Sequence, residues 1–191
     1  DSLHRQHLES TRTHFEGLDR EVEDRTALRC GVGFADLSGF TQLSQQLQLG
    51  ELSHVLSLFE ESATSTVQAR GGRVVKFLGD AVMWVAAEPE DLARIALDLT
   101  QHPKALEAQI EVRAGVAYGR VLAQDGDYFG TPVNLASRLV AVAEPGQVVA
   151  DQGLLHALGP GWTATAGEPT ALRGFADLIT PFALQREAVA D

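Results

Sequence analysis

The chain has 191 residues, a formal net charge of −11 and a hydrophobic content of 45%, values typical of one globular domain with a sizeable core. The charge disfavours nucleic acid as a partner, because phosphate backbones are bound by clustered lysine and arginine, and the 15 basic residues here are scattered. A single cysteine excludes an intrachain disulfide and a multi-cysteine metal site, and no apolar run is long enough to span a membrane. We therefore expect a soluble, cytoplasmic domain.

Residues 1–28 are polar and charged, and their few apolar side chains recur at loosely helical spacing. They form either a linker or a regulatory helix, since a solvated polar segment gives the same pattern. The chain begins with Asp and not with Met, so we expect a longer protein with an upstream regulatory domain. Residues 29–186 are predicted to form the main domain, followed by a short tail at 187–191.

The first half of this domain alternates between strand and helix patterns. The apolar run from Cys30 to Leu37 predicts a strand, which leads into a helix beginning near Gln42. Residues 53–69 predict a second helix ended by two glycines, and a hairpin follows with Gly79 in its turn. Acidic residues and a proline at 88–91 begin a third helix, which ends at the His-Pro pair 102–103.

The second half adds further strands and two helices. Residues 110–123 predict two strands, because Gly119 interrupts the alternation of apolar and polar side chains. Thr131 is a predicted N-cap with Pro132 at the first helical position. A strand at 148–150, a helix at 152–158 and strands at 162–166 and 178–184 complete the domain. Hairpins and helices in this order favour an α/β or α+β fold, with helices packed on a mixed, ferredoxin-like sheet.

Two acidic residues lie where strands end. Asp36 ends the first strand, and Asp80 follows Gly79 at the tip of the hairpin. If these strands are neighbours, the two carboxylates converge as a Mg²⁺ or Mn²⁺ site for a nucleoside triphosphate requires. Beside them, the Ser-Gly-Phe-Thr segment 38–41 opens a helix, and the free N–H groups of Gly39, Phe40 and Thr41 would suit a phosphate. The alternative is that each acid is an ordinary charge at a strand end.

A third polar stretch runs from residue 127 to 138, with the sequence Asp-Tyr-Phe-Gly-Thr-Pro-Val-Asn-Leu-Ala-Ser-Arg. Asn134 and Arg138 are four residues apart and share one helical face. The amide could orient a sugar, and the guanidinium could neutralise charge that develops on a phosphorus centre. A solvated polar face is the alternative.

These stretches, at 34–41, 76–80 and 127–138, resemble the signature motifs of class III adenylyl and guanylyl cyclase catalytic domains of the bacterial homodimeric type, and the resemblance covers about residues 30–186. It implies the cyclase catalytic fold, with Asp36 and Asp80 binding two Mg²⁺ or Mn²⁺ ions and the carbonyl of Leu37 as an extra ligand. The other implied residues bind the nucleotide: Lys76 and Asp127 read the purine, Asn134 orients the ribose, Arg138 stabilises the transition state, and Arg173 and Arg120 bind the triphosphate.

The same resemblance implies a homodimer, because in this family the metal-binding aspartates and the purine-binding residues of one site come from different subunits. The expected reaction converts ATP into 3′,5′-cyclic AMP and pyrophosphate. ATP is preferred over GTP since a lysine donor and an aspartate acceptor complement N1 and N6 of adenine, while guanine reverses both positions.

The sequence leaves some alternative functions open and disfavours others. A guanylate cyclase and a non-catalytic nucleotide-binding or dimerisation module of this fold remain as alternatives. A diguanylate cyclase is disfavoured, because the hairpin reads Leu-Gly-Asp-Ala at 78–81 and not Gly-Gly-acid-Glu-Phe. The patterns of P-loop enzymes and of Gly-x-Ser-x-Gly hydrolases are absent.

Overall fold

The structure is a computed structural model that describes residues 27–101 and 110–187. The first 26 residues of the predicted linker or regulatory helix therefore lie outside the described residues. The same holds for residues 188–191 of the predicted tail. No helix in the described parts of the chain combines the length and the hydropathy of a membrane span. The strands and helices in chain order are β1 (Ala27–Leu37), α1 (Phe40–Gln46), α2 (Leu49–Ala69), β2 (Arg73–Leu78), β3 (Ala81–Ala86), α3 (Pro89–Gln101), β4 (Val112–Gln124), β5 (Asp127–Phe129), α4 (Thr131–Val142), β6 (Val148–Ala150), α5 (Gln152–Ala157), β7 (Trp162–Ala166), β8 (Thr170–Ala171), β9 (Leu178–Ile179) and β10 (Phe182–Arg186).

One mixed sheet organises these elements. Its strand order is β2-β3-β1-β4-β6-β10-β7, and β5 pairs with β4 outside this path. The pairing of β4 with β6 is parallel, and the other neighbours along the path are antiparallel. The short strands β8 and β9 form a separate ribbon. The predicted mixed sheet with packed helices is thus confirmed.

Helices cover both faces of the sheet. Trp84 of β3 and Ile95 of α3 are fully buried in the core between one face of the sheet and α2, α3 and α5, and Met83 of β3 and Leu139 of α4 are buried in the core between the other face and α4. Burying each such side chain contributes about 1.5–3 kcal/mol to folding. The ends of β1 and β3 are therefore fixed between two packed layers, and this rigid edge is where the predicted acids lie.

Two strand predictions are wrong in detail. β4 continues through Gly119, which stays in register opposite Cys30 of β1. A Cβ atom at Gly119 would lie 3.0 Å from Cγ of Pro132, so the missing side chain allows α4 to approach the strand. The predicted strand 178–184 is divided into β9 and β10, because Pro181 has no N–H to donate to a ladder. β1 also begins three residues before the predicted start, at Ala27.

Helix starts differ from the predictions as well. α1 and α2 begin two and four residues before their predicted starts. In α2 the reason is a capping box, in which Glu51 accepts a hydrogen bond from the N–H of Gln48 and the Gln48 side chain accepts one in return. The N-cap of α4 is Gly130 and not Thr131. Its φ of 131° is a conformation that glycine adopts without strain, and its carbonyl accepts the first bonds of the helix.

Candidate active site

The two predicted metal-binding aspartates lie side by side. Asp36 pairs with Ala81 in the register of β1 and β3, and Asp80 immediately precedes Ala81 in the chain. The N–H of Leu37 donates a hydrogen bond to the carbonyl of Asp80 at 3.2 Å, which ties the end of β1 to the hairpin turn. The structure therefore brings together the carboxylates that the sequence predicts. Their role as metal ligands stays a prediction, as does that of the Leu37 carbonyl.

A cation that the sequence interpretation missed stands against this pair. Arg113 lies directly opposite Asp36 in the register of β1 and β4. Its Nε lies 2.7 Å from Oδ1 of Asp36, and its Nη2 lies 3.2 Å from Oδ2, so the contact is bidentate. Its Nη1 also reaches the carbonyl of Ala141, in the last turn of α4, and that of Ala143, just after the helix, each at 3.4 Å. The strand pattern alone gives no signal for this partner, because 77 residues separate it from Asp36.

The electrostatics of this edge favour an added cation. Burial raises the pKa of Asp80, and the neighbouring charge of Asp36 raises it further, while a backbone hydrogen bond and Arg113 act in the opposite direction. The hydrogen bond from Arg113 to Asp36 raises the pKa of the guanidinium, so Arg113 stays charged. Two carboxylates that share one arginine leave negative charge incompletely compensated. A divalent ion would complete the compensation.

The donor set fits Mg²⁺ or Mn²⁺. Carboxylate oxygens are the ligands these hard cations prefer, and such sites commonly use few protein ligands and complete the shell with water and substrate phosphates. Within residues 27–101 and 110–187, no cluster of three or more carboxylate, imidazole or thiol side chains could hold a metal. The buried hydroxyl of Ser38, beside the pair, has no hydrogen-bond partner in the described structure. An orphaned buried donor at this point is also what a bound polyanion or hydrated ion would satisfy.

The predicted phosphate cradle follows directly. Gly39 is the N-cap of α1 with φ 74°, and its carbonyl accepts hydrogen bonds from the N–H groups of Gln42 and Leu43, each at 3.0 Å. The first N–H groups of a helix have no intrahelical acceptor, so those of Phe40 and Thr41 are available to a ligand. The cradle and the two aspartates thus share one edge of the sheet.

The predicted purine-reading pair also forms a contact. Nζ of Lys76 lies 2.7 Å from Oδ2 of Asp127, and Oδ1 of Asp127 accepts a hydrogen bond from the N–H of Tyr128 at 2.8 Å. These bonds lower the pKa of Asp127. The side chains are 41% and 34% exposed, so one donor and one acceptor stand together where a ligand can reach them.

The helix α4 carries two further predicted site residues, Asn134 and Arg138. It lies close against β4 because Gly115 has no side chain, and a Cβ atom there would come within 2.2 Å of the Val140 nitrogen. Asn134 is exposed near the start of the helix. One turn later, Nε of Arg138 donates a hydrogen bond to the carbonyl of Arg173 at 3.2 Å. The structure therefore brings Arg138 and Arg173 together.

Arg120 is not brought to this group. It lies opposite Arg29 of β1, and both side chains are exposed. Because Gly119 faces Pro132 of α4, the alternation of the strand directs the next side chain to the opposite face of the sheet. The arrangement within one chain gives Arg120 no contact with Asn134 or Arg138.

Asp36 and the start of α4 lie at different ends of β4. Asp36 is opposite Arg113, whereas the start of α4 lies beside Arg120, since a Cβ atom at Gly130 would be 3.3 Å from the Arg120 carbonyl. Seven residues of extended strand separate Arg113 from Arg120, or about 23 Å. Because α4 runs back along β4, Arg138 lies nearer to Asp36 than the start of the helix does: Gly115 faces Val140, and Arg113 contacts the carbonyl of Ala141.

Comparisons with known proteins found a matching family and several relatives. Residues 22–185 match the family described as the adenylate and guanylate cyclase catalytic domain. An uncharacterized protein of Mycobacterium tuberculosis is 52% identical over 185 residues, which cover 96% of this chain and 48% of that protein. A protein of Streptomyces coelicolor named adenylate cyclase is 43% identical over 142 residues, covering 74% of this chain and 36% of its own.

A solved structure shares the fold. The adenylyl cyclase CyaB from P. aeruginosa superposes with a TM-score of 0.74 at 22% identity, covering 85% of this chain and 97% of that one. The chain spans about half the length, or less, of the curated relatives it matches. The described edge with its paired aspartates therefore belongs to a domain that occurs within longer proteins.

Proposed function

Because the chain belongs to the adenylate and guanylate cyclase catalytic domain family, we propose that it converts ATP into 3′,5′-cyclic AMP and pyrophosphate at sites shared by two copies. The observation that carries the choice of ATP is the 2.7 Å contact between Lys76 and Asp127. The name of the Streptomyces coelicolor relative, adenylate cyclase, supports the same choice.

The chemistry follows from the residues at the sheet edge. Asp36 and Asp80 would hold two Mg²⁺ or Mn²⁺ ions, which when bound lower the pKa of the ribose 3′-hydroxyl and polarise the phosphates. In the reaction the 3′-oxygen forms a bond to the α-phosphorus, the bond to the bridging oxygen breaks, and pyrophosphate leaves while the hydroxyl proton passes to solvent. Gly39, Phe40 and Thr41 bind phosphate oxygens through their N–H groups.

The residues of α4 act on the other side of the nucleotide. Asn134 orients the ribose so that the hydroxyl lies in line with the α-phosphorus. Arg138 neutralises the charge that grows on the equatorial phosphate oxygens in the transition state. Its interaction therefore lowers the activation barrier of the reaction and affects kcat more than the KM for ATP. Arg173 lies beside Arg138 and adds positive charge for the triphosphate. Arg113, which contacts Asp36, would be a further cation for the phosphates if a bound metal ion took its place at that carboxylate.

The base preference rests on hydrogen-bond inventory. Adenine presents an acceptor at N1 and a donor at N6, which match the ammonium of Lys76 and the carboxylate of Asp127. Guanine at the same position would set a donor against the ammonium and an acceptor against the carboxylate. Leaving both groups unpaired disfavours the wrong base by a factor that reaches about 10⁴ in well-formed sites. GTP is therefore the poorer substrate.

We infer a dimer because, in the family to which this chain belongs, the metal-binding aspartates and the purine-binding residues of one site come from different subunits. If Asp36 and Asp80 of one copy face Asn134 and Arg138 of a second copy, one nucleotide contacts both sets. A closed two-fold arrangement then gives two equivalent sites. A single copy has neither complete site and is expected to be inactive.

Complementation between inactive variants tests reaction and assembly together. We expect Asp36→Ala and Arg138→Ala chains each to lack cyclase activity with Mn²⁺ and ATP. When the two are mixed, half of the dimers are mixed and one of their two sites is intact, so activity returns to about a quarter of wild type. Mixing Asp36→Ala with Asp80→Ala serves as the control and restores nothing, because both substitutions affect the same half-site.

The products distinguish the alternatives. Cyclic GMP as the main wild-type product would identify a guanylate cyclase, and no cyclic nucleotide from a dimeric wild-type protein would identify a non-catalytic module. Activity of the control mixture would refute the division of the site between two copies.

A further inference from the structure

The edge strand β2 contains an irregularity at Val75. Arg73 pairs with Val85 and Lys76 pairs with Met83, so the four residues 73–76 of β2 lie opposite the three residues 83–85 of β3, and Val75 is the extra one. In a regular strand, residues three apart point to opposite faces. The bulge turns Arg73 and Lys76 to the same face, the one that packs against α4.

Both re-aimed side chains contact the hairpin formed by β4 and β5. Lys76 makes the 2.7 Å bond to Asp127. Arg73 donates a hydrogen bond from Nη2 to the hydroxyl of Tyr128 at 3.0 Å, and its guanidinium lies 5.3 Å from the centre of the Tyr128 ring. The same Nη2 reaches the carbonyl of Gly126 at 3.5 Å. Two neighbouring residues of the hairpin are thus held by two residues of β2.

The purine-reading pair needs such support. Lys76 and Asp127 are each more than a third exposed, and an exposed ion pair contributes only about 0–1 kcal/mol. It therefore does not fix the position of the hairpin by itself. The O6 acceptor and N1 donor of guanine would find partners only if the donor and the acceptor changed places along the edge of the base, so selectivity for adenine depends on where the hairpin holds Asp127.

We propose that Arg73 and Tyr128 are positioning residues that hold the β4–β5 hairpin on β2, so that Lys76 and Asp127 keep the register that selects adenine over guanine. This inference rests on the proposed cyclase function and extends it to the origin of the base selectivity. Neither residue touches the reacting atoms. Both act through the placement of Asp127.

Four substitutions separate the parts of the contact. Tyr128→Phe removes the hydroxyl and keeps the ring, Arg73→Gln removes the cation, and Arg73→Lys keeps the cation but loses the planar fork. The fourth is the double variant Arg73→Gln with Tyr128→Phe. The chain also offers a matched control in Tyr118→Phe. Tyr118 likewise lies under an arginine, at 5.8 Å, and bonds a carbonyl, yet it contacts neither member of the pair.

The expected effects fall on substrate recognition. Because the bond between Arg73 and Tyr128 is exposed, its loss costs less than that of a buried hydrogen bond to a charged group, and we expect the KM for ATP to rise by about five- to tenfold while kcat stays within about twofold. The ratio of kcat/KM for ATP over GTP falls by a similar factor. The double variant is no worse than Arg73→Gln, since both changes remove one contact, and Arg73→Lys recovers part of the loss. Tyr118→Phe behaves as wild type.

A binding measurement makes the test independent of turnover. Affinities for ATP and for GTP are measured by titration calorimetry on the same variants, after circular dichroism has shown that each is folded. If wild type prefers ATP in binding but forms no cyclic nucleotide, the proposed reaction fails, and the binding ratio of Tyr128→Phe still decides this inference. An unchanged ATP preference in Tyr128→Phe and Arg73→Gln overturns it, and so does a wild type that prefers GTP.

Discussion

Arg113→Met removes the cation that holds Asp36 while keeping most of the apolar side-chain volume. The lost contact is bidentate, with distances of 2.7 and 3.2 Å, and the side chains of Arg113 and Asp36 are 30% and 19% exposed. Hydrogen bonds to charged groups contribute about 1.5–3 kcal/mol. Partial exposure reduces this contribution, and we expect a loss of about 1–2 kcal/mol in the free energy of unfolding. For a domain of this size the loss lowers Tm by about 2–8 °C.

Metal binding should act differently on the two proteins. In wild type, an ion at Asp36 competes with Arg113 for the same oxygens. In Arg113→Met the carboxylates of Asp36 and Asp80 repel each other without compensation, and the ion restores the missing charge. Since a ligand stabilises by RT ln(1 + [L]/Kd), the tighter binding in the variant gives it the larger increase in Tm.

The assay is thermal unfolding followed by circular dichroism, in EDTA and in excess Mn²⁺, without nucleotide. Arg70→Met is the control, because it breaks an ion pair of similar length, 2.8 Å to Asp98, which the structure does not connect to the aspartates. We expect it to lower Tm slightly in both conditions by the same amount. Competition between Arg113 and the metal ion would be refuted if Mn²⁺ raised the Tm of Arg113→Met by no more than it raises the Tm of wild type.

Two further predictions concern the packing of α4 on β4 and a buried carboxylate. Gly115→Ala places a Cβ atom 2.2 Å from the Val140 nitrogen, so α4 must move, and we expect a loss of about 1–3 kcal/mol in urea unfolding and a fall in kcat. Gly50→Ala meets open space and is the neutral or slightly stabilising control; equal stability of the two variants would contradict the close approach of α4. Burial raises the pKa of Asp151 above its ordinary value of 3.8, so protonation of this carboxyl stabilises the folded state. We therefore expect the free energy of unfolding of wild type, relative to that of Asp151→Asn, to increase as the pH falls through the raised pKa. The increase is complete below pH 3.8. Urea unfolding of both proteins between about pH 7 and pH 4 checks the direction of this change. A difference in unfolding free energy that does not vary with pH would argue against a buried charge at Asp151.

Local patterns sufficed for the elements that carry the motifs. The hairpin around Gly79 follows from turn chemistry, and the strand ending at Asp36 follows from an apolar run. The strand and turn predictions succeeded because strand ends and turns are set by residues near each other in the chain. The pairing of Lys76 with Asp127 is different: the family resemblance implies it, and the two side chains meet although 51 residues separate them.

Features that depend on strand pairing were beyond such patterns. The sequence pattern predicts a break at Gly119, whereas the register of β4 against β1 carries the strand through it. It likewise could not show that Arg113 faces Asp36, that Arg120 projects away from α4, or that a bulge at Val75 turns Arg73 toward the hairpin.

What the sequence determined by itself is therefore the set of chemical groups and the order of the elements that bear them. What only the tertiary structure decided is which of those groups face each other. A shift of one residue in strand register exchanges the two faces of a sheet. That register is fixed by contacts among residues far apart in the chain, which a local pattern does not contain.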